Sequence, residues 1–201
     1  MQARSSDTLE TVATTLPSCS QTMRNLSSRY LLSMTCLLWM VSACTTPPAK
    51  LDHEKSVTTF VIVRHAEKAT DDARDPSLSQ AGHDRAQALA RLLADAPVSA
   101  TYATRYRRTQ QTAAPTASAQ GISVSTYEAA LPALQFATQL RETHAHGGTV
   151  LVVGHSNTVP DIAAALSGQY TDAMPESEFD RLYRIRIDAD GKASLVTERY
   201  P

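Results

Sequence analysis

The sequence has little glycine, 7 residues in 201, and few aromatics, 5% of the chain. The first shortage excludes collagen-like and glycine-rich low-complexity architectures. The second leaves no platform on which bases could stack. Neither charge sign dominates: the formal net charge is −1, so nothing basic enough to make nucleic acid the default partner is present. Only three cysteines occur, and no apolar run reaches the roughly 20 residues that a bilayer-spanning helix requires. No period of repeat-protein length is visible. What is present, 42% apolar and 19% charged residues, suits one ordinary globular domain with room for a tail.

The N-terminal part differs from the rest. Residues 1–22 are polar and rich in Ser and Thr. Arg24 and Arg29 then form a basic region, Tyr30 to Val41 an apolar one, and Ser42–Ala43–Cys44 ends it with small residues. That order is the order of a secretory signal. "VSAC" further resembles the lipobox of bacterial lipoproteins, whose cysteine is lipidated and becomes the first mature residue. The resemblance implies a leader over 1–43, its signal peptide at 23–43, and lipidation of Cys44 as an anchor to the membrane. Cys19 and Cys36 would be lost with the leader, leaving no free thiol, which suits an oxidising compartment. Met23 stands just ahead of the basic region, so the start remains open between Met1 and Met23. Thr45, not Asp, follows the cysteine; in enterobacterial lipoproteins this points to the outer membrane rather than the inner. The expected location is therefore the periplasmic side of the cell envelope. Residues 44–56, with two prolines and no apolar period, read as a tether. Residues 44–201 carry 16 basic and 18 acidic side chains, a formal charge of −2.

From residue 57 strand and helix patterns alternate. Val57 to Val63 reads as a buried strand without polar alternation. Residues 78–96 form a helix pattern with Ser79 as N-cap and a stripe of Ala81, Ala88, Leu89, Leu92 and Leu93. Strand patterns follow at 98–104, 122–126 and 148–155, and helix patterns at 109–120, 131–144 and 158–166, with Pro160 tolerated in a first turn. Asp190–Gly191 between two apolar runs signals a hairpin. Such alternation predicts a three-layer α/β/α sandwich over 57–201, with a mostly parallel central sheet and antiparallel edge strands from the hairpin.

Ligands of such sheets bind beyond the carboxyl ends of the strands. Three polar clusters fall there: Arg64–His65 after the first strand, "TRYRRTQQTA" after the second, and Gly154–His155–Ser156–Asn157 after the fourth. "VIVRHAEK", "YATRYRRTQQTA" and "VLVVGHSNT", taken in order, resemble the histidine phosphatase superfamily, also called phosphoglycerate-mutase-like, in its branch of small phosphatases. The resemblance implies that His65 takes up the phosphoryl group, that Arg64 and Arg108 bind phosphate, and that His155 is the second histidine of the pocket. Arg108, not Arg105, fits the family spacing of Arg, small residue, two variable residues, Thr. Asn157 is a candidate hydrogen-bond donor to phosphate or substrate. The chemistry supports these roles independently. A phosphoryl group in flight spreads charge over its equatorial oxygens, which arginine forks and imidazole donors stabilise. A neutral imidazole is a competent nucleophile near neutral pH, and two neighbouring arginines lower its pKa.

The leaving oxygen also needs a proton donor. One branch of the family places Asp directly after the second histidine, where this chain has Ser156. The other uses an acidic residue after the intervening strand, which here is Glu128; Glu67 is a rival by proximity. Arg105 and Arg107 read as surface groups, Arg105 within reach of a second anionic group on a substrate. His144 and His146 lack a third ligand and read as helix C-terminal residues that complement the dipole. His53 lies in the tether and His83 on a helix. No metal or cofactor is expected, and the partner is a small phosphorylated substrate. The sequence does not set the oligomeric state. The reading is a metal-independent phosphomonoesterase working through a phosphohistidine. Its alternatives are a catalytically silent phosphate- or phosphosugar-binding lipoprotein and a protein phosphohistidine phosphatase.

Cys44→Ser is expected to abolish acyl labelling and membrane association, and mass spectrometry of the mature protein to find lipidated Cys44 at its N-terminus. An N-terminus at Met23 or Ala43 would refute the leader assignment.

Overall fold

The computed structural model describes residues 57–201; the signal, Cys44 and tether expectations fall on residues outside that span. Six strands and four helices follow in the order β1 (Thr58–Arg64), α1 (Gln80–Leu92), β2 (Val98–Thr104), α2 (Arg107–Ala119), β3 (Val124–Tyr127), α3 (Ala133–Thr143), β4 (Gly148–Gly154), α4 (Val159–Ser167), β5 (Arg181–Ile187) and β6 (Ala193–Arg199). They build one sheet in the spatial order β3-β2-β4-β1-β5-β6. β3, β2, β4 and β1 run parallel; β5 joins β1 antiparallel and β6 joins β5 antiparallel. The expected sandwich with a mixed, mostly parallel sheet is what forms. Only β6 of the hairpin is an edge, since β5 is enclosed between β1 and β6.

The central strands are apolar on both faces because both are covered. Phe60 and Ile62 of β1 join Val150, Val152, Tyr183 and Ile185 beneath α3 and α4. Val61 and Val63 join Leu151, Val153 and Leu182 beneath α1 and α2. Alternation along β1 thereby assigns the next residue, Arg64, to the α3/α4 face.

The elements begin and end where local chemistry requires. Ser79 caps α1 by accepting from the Gly82 amide at 3.2 Å. The buried positions of that helix differ from the expected stripe: Ala81 is exposed and Leu92 is 45% exposed. Ala88, Leu89 and Leu93 face inward as expected and are joined by Gly82 and Ala86; Gly82, Ala86, Leu89 and Leu93 make an i, i+4, i+7, i+11 progression. α2 gives way to a turn at Gly121, where φ is +67°, a conformation glycine adopts without strain. His144 ends α3, as expected, but burial lowers its pKa. Its Nε2 lies 3.0 Å from the Tyr102 hydroxyl. It therefore packs as a neutral ring rather than compensating the helix dipole with charge.

Gly82 explains how closely α1 docks on the segment after β1. A Cβ there would sit 2.2 Å from the Glu67 carbonyl oxygen and 3.1 Å from two further backbone atoms of that residue. Gly82→Ala should gain about 1 kcal/mol of helix propensity and lose more to a clash with backbone that cannot rotate away. A net destabilisation of about 1–3 kcal/mol is expected, read as a lower urea midpoint at unchanged slope.

Candidate active site

Strand register places the two histidines. Arg64 pairs with Gly154 as the last residue of its strand, so His65 and His155 leave adjacent parallel strands side by side. The His65 amide donates to the Gly154 carbonyl at 2.9 Å, and the two rings meet edge to face with centroids 5.5 Å apart. β2 supports the second ring: Thr104 Oγ1 lies 3.0 Å from His155 Nε2 and 2.8 Å from Thr109 Oγ1. Glycine at 154 is required for the close exit, since a Cβ would come within 2.9 Å of both the Tyr127 hydroxyl and Val159 Cγ2.

His65 is 4% exposed, and its Nδ1 lies 2.7 Å from the Ala66 carbonyl oxygen. A carbonyl only accepts, so Nδ1 carries the hydrogen and Nε2 keeps its lone pair. The loop bearing this carbonyl is tied to α2: the Ala66 amide donates to Thr112 Oγ1 at 3.0 Å, and that hydroxyl donates to the Arg108 carbonyl at 2.7 Å. Burial, more than the neighbouring Arg64 and Arg108, lowers the pKa of His65 to about 3. Burial and then Arg108 lower that of His155 to about 4. The arginines act in the expected direction, but desolvation is the larger cause.

His65, Lys68, Arg108, His155, Asn157 and Glu176 line a polar cleft of about 310 Å³ at the carboxyl edge of the sheet. Arg108 stacks over Tyr106 at 4.6 Å, and the Tyr106 ring meets His155 at 5.3 Å. Arg108 Nη1 is buried without a hydrogen-bond partner; Asp75 Oδ1, 3.8 Å away, pairs with it only electrostatically. A buried guanidinium donor at a polar cleft is the expected equipment for holding an anion.

Arg64 is placed differently from its neighbour. It is 1% exposed, and its Nη1 donates to the carbonyl oxygens of Pro175, Glu176 and Glu178 at 3.1, 2.9 and 2.9 Å. Its Nη2 donates to Glu176 Oε2 at 2.7 Å, and Phe179 covers the guanidinium at 4.2 Å. The arginine thus reaches the cleft only through Glu176, whose other carboxylate oxygen accepts from Ser156 Oγ. Those two contacts, the hydroxyl first, hold the Glu176 carboxyl below the usual carboxylate range.

The structure brings together His65, His155, Arg108 and Asn157 as expected, with Arg64 directly behind them. Glu67 is withdrawn, locked by Arg85 through hydrogen bonds of 2.8 to 3.0 Å. Glu128 follows β3 and is exposed, and its neighbour Ala129 is the residue that lines the cleft. The sequence reading missed Glu176. No local signal marks it: β5 is antiparallel to β1, with Leu182 opposite Val63, and only that pairing carries the segment entering β5 past the carboxyl edge.

Residues 60–131 match the family model of the histidine phosphatase superfamily (branch 1). No curated protein matches the chain. Among solved structures, the protein histidine phosphatase SixA complexed with tungstate superposes with a TM-score of 0.59 at 19% identity, covering 71% of this chain and 97% of its own. Mycobacterial glucosyl-3-phosphoglycerate phosphatase does so with 0.57 at 14%, covering 72% and 100%. The phosphoglycerate mutase from Bacillus anthracis gives 0.53 at 14%, covering 73% and 94%. At such identities the likeness establishes the fold.

The depressed imidazoles give a measurable signature. Because the folded-state pKa values lie below the unfolded one, both rings stay neutral as pH falls through the ordinary histidine range of about 6.5. Nitrogen-15 spectra at about pH 5.5 should show His65 neutral with its hydrogen on Nδ1, and an imidazolium there would contradict the assignment. The stability from keeping these rings neutral is present above the unfolded pKa and is lost as pH falls toward the folded values.

Proposed function

We propose that this chain, which matches the histidine phosphatase superfamily (branch 1) over residues 60–131, hydrolyses phosphomonoesters through a phosphohistidine at His65. One observation carries the reading: the Nδ1 contact to Ala66 turns the Nε2 lone pair of a buried, neutral His65 toward a cleft shared with Arg108 and His155. The family match and the phosphatases among the structural neighbours support a phosphatase enzyme.

In the proposed reaction His65 Nε2 attacks phosphorus, the ester P–O bond breaks, and the phosphoryl group rests on the imidazole. Water then attacks phosphorus, the P–N bond breaks, and inorganic phosphate leaves with His65 restored. Arg108, which lines the cleft, offers its guanidinium to the equatorial oxygens, where charge accumulates. His155, held by Thr104, gains basicity beside the phosphoryl dianion and so becomes a donor when the dianion is bound. Asn157 contacts phosphate or the leaving part of the substrate. The enzyme works on the periplasmic side of the envelope, tethered through lipidated Cys44, where sugar phosphates, lipopolysaccharide phosphates and scavenged nucleotides are the candidate substrates. A protein phosphohistidine substrate is the second reading, favoured by a cleft with exposed walls at Lys68 and Asn157. Export weighs against it.

His65→Ala should leave no acid-labile phosphoenzyme and essentially no turnover, while chelators leave the wild type unchanged. Activity lost to EDTA and restored by a divalent ion would overturn the histidine mechanism. A panel of phosphorylated metabolites, envelope phosphates and a phosphohistidine protein then separates the readings. Anion binding without turnover on any of them would make the chain a silent binding protein.

A further inference from the structure

We propose that Glu176 is the proton carrier of the reaction: the substrate phosphoryl group replaces its carboxylate on Arg64 Nη2 and Ser156 Oγ, and the displaced carboxyl protonates the departing ester oxygen. This rests on the phosphatase reading above and assigns the role left open between Glu128 and Glu67.

The carboxylate contacts a guanidinium fork and a hydroxyl, the kinds of group that hold a phosphate. The two partners differ in freedom. Arg64 is 1% exposed and fixed through Nη1 by three backbone carbonyls, whereas the Glu176 side chain is 77% exposed. An incoming anion therefore moves the glutamate and finds the arginine already in place. Neighbouring carboxylates have other engagements: Glu67 binds Arg85, Glu178 binds Arg181 and Arg199, and Asp75 faces Arg107 and Arg108. Among the described residues Glu176 is the one carboxylate lining the cleft.

Electrostatics supply the proton. In this structure Ser156 after β4, Arg64 from β1 and Lys68 from the loop after it favour the ionised carboxylate, while the neutral His65 and His155, with Arg108, line the same cleft. A bound phosphoryl dianion takes over Arg64 and Ser156 and adds two negative charges beside the displaced group. Both changes raise its pKa, so binding draws one proton from solvent onto Glu176. When the ester P–O bond breaks, that proton goes to the leaving oxygen and the carboxylate re-forms. In the second half-reaction the carboxylate takes a proton from the attacking water as its O–P bond forms and the P–N bond breaks. Each turnover thus returns Glu176 protonated beside the product.

The test compares Glu176→Gln and Glu128→Gln on two substrates, glycerol 1-phosphate and p-nitrophenyl phosphate. Glutamine can offer its amide oxygen to Arg64 and its amide NH2 to the Ser156 hydroxyl, which then accepts, but it carries no acidic proton. The phosphorylation step in Glu176→Gln should slow about 10²-fold on the alkyl ester and change little on the nitrophenyl ester, whose leaving group needs no proton. Pre-steady-state bursts separate this step from dephosphorylation, which is slowed on both esters. Calorimetry of orthovanadate binding in buffers of different ionisation enthalpy should report one proton more taken up by the wild type than by Glu176→Gln, the uptake at His155 being common to both. Equal losses of phosphorylation rate on the two esters, or a leaving-group-dependent loss in Glu128→Gln instead, overturns the assignment while leaving the phosphatase reading intact. A wild type that forms no phosphoenzyme from either ester overturns both.

Discussion

The charge of Arg64 is buried where a hydrophobic strand ends, and much of the site follows from how that charge is satisfied. Withdrawing a cation from water costs several kcal/mol unless it is paired and hydrogen-bonded. Here three carbonyl oxygens, one carboxylate and the face of Phe179 meet it. All come from residues 175–179, which belong to no helix or strand. The arginine is anchored by its own strand, so it positions the segment rather than the reverse. Phe179 consequently lies 6.2 Å from the His65 ring, and Glu176 is delivered into the cleft.

Two modes of positioning therefore meet in one cleft. His65 and His155 are set by the parallel register of β1 and β4, which cannot slip without breaking the ladder. Glu176 hangs on an irregular segment and is mostly exposed. The division suits the chemistry. A nucleophile meets the same phosphorus in every substrate, and an ångström of misplacement is costly. A proton carrier must instead follow a leaving oxygen whose position changes with the group attached to it.

The strand and helix order, the parallel core and the histidine pair were legible because each rests on local pattern: apolar runs, caps, turns and short motifs at strand ends. Arg64 shows where that reading stops. Its neighbourhood with His65 is written in adjacent letters, but its partners lie more than a hundred residues away. Only the antiparallel entry of β5 brings them near, and pairing direction is a tertiary outcome that no hairpin signal encodes. Glu67 and Glu128 illustrate the same limit. Sequence proximity favoured one and strand order the other, yet Arg85 from α1 claims the first and the cleft wall is formed by the residue after the second.

A nucleophile with so low a pKa moves the pH sensitivity of the reaction elsewhere. With His65 near 3 and His155 near 4, neither ring changes charge across the neutral range before an anion binds. The groups that do respond are the substrate phosphate, with its second ionisation at about 6, and the Glu176 carboxyl once an anion has raised it. Binding is then an exchange of anions on Arg64, and its net strength is the phosphoryl contact less the carboxylate contact it displaces. Such an exchange discriminates by charge. A dianion gains more from the fixed guanidinium than the single carboxylate loses, whereas a monoanionic ester gains roughly what it replaces. In the proposed exchange, the segment that satisfies the buried arginine would thereby also select for the fully ionised phosphomonoester.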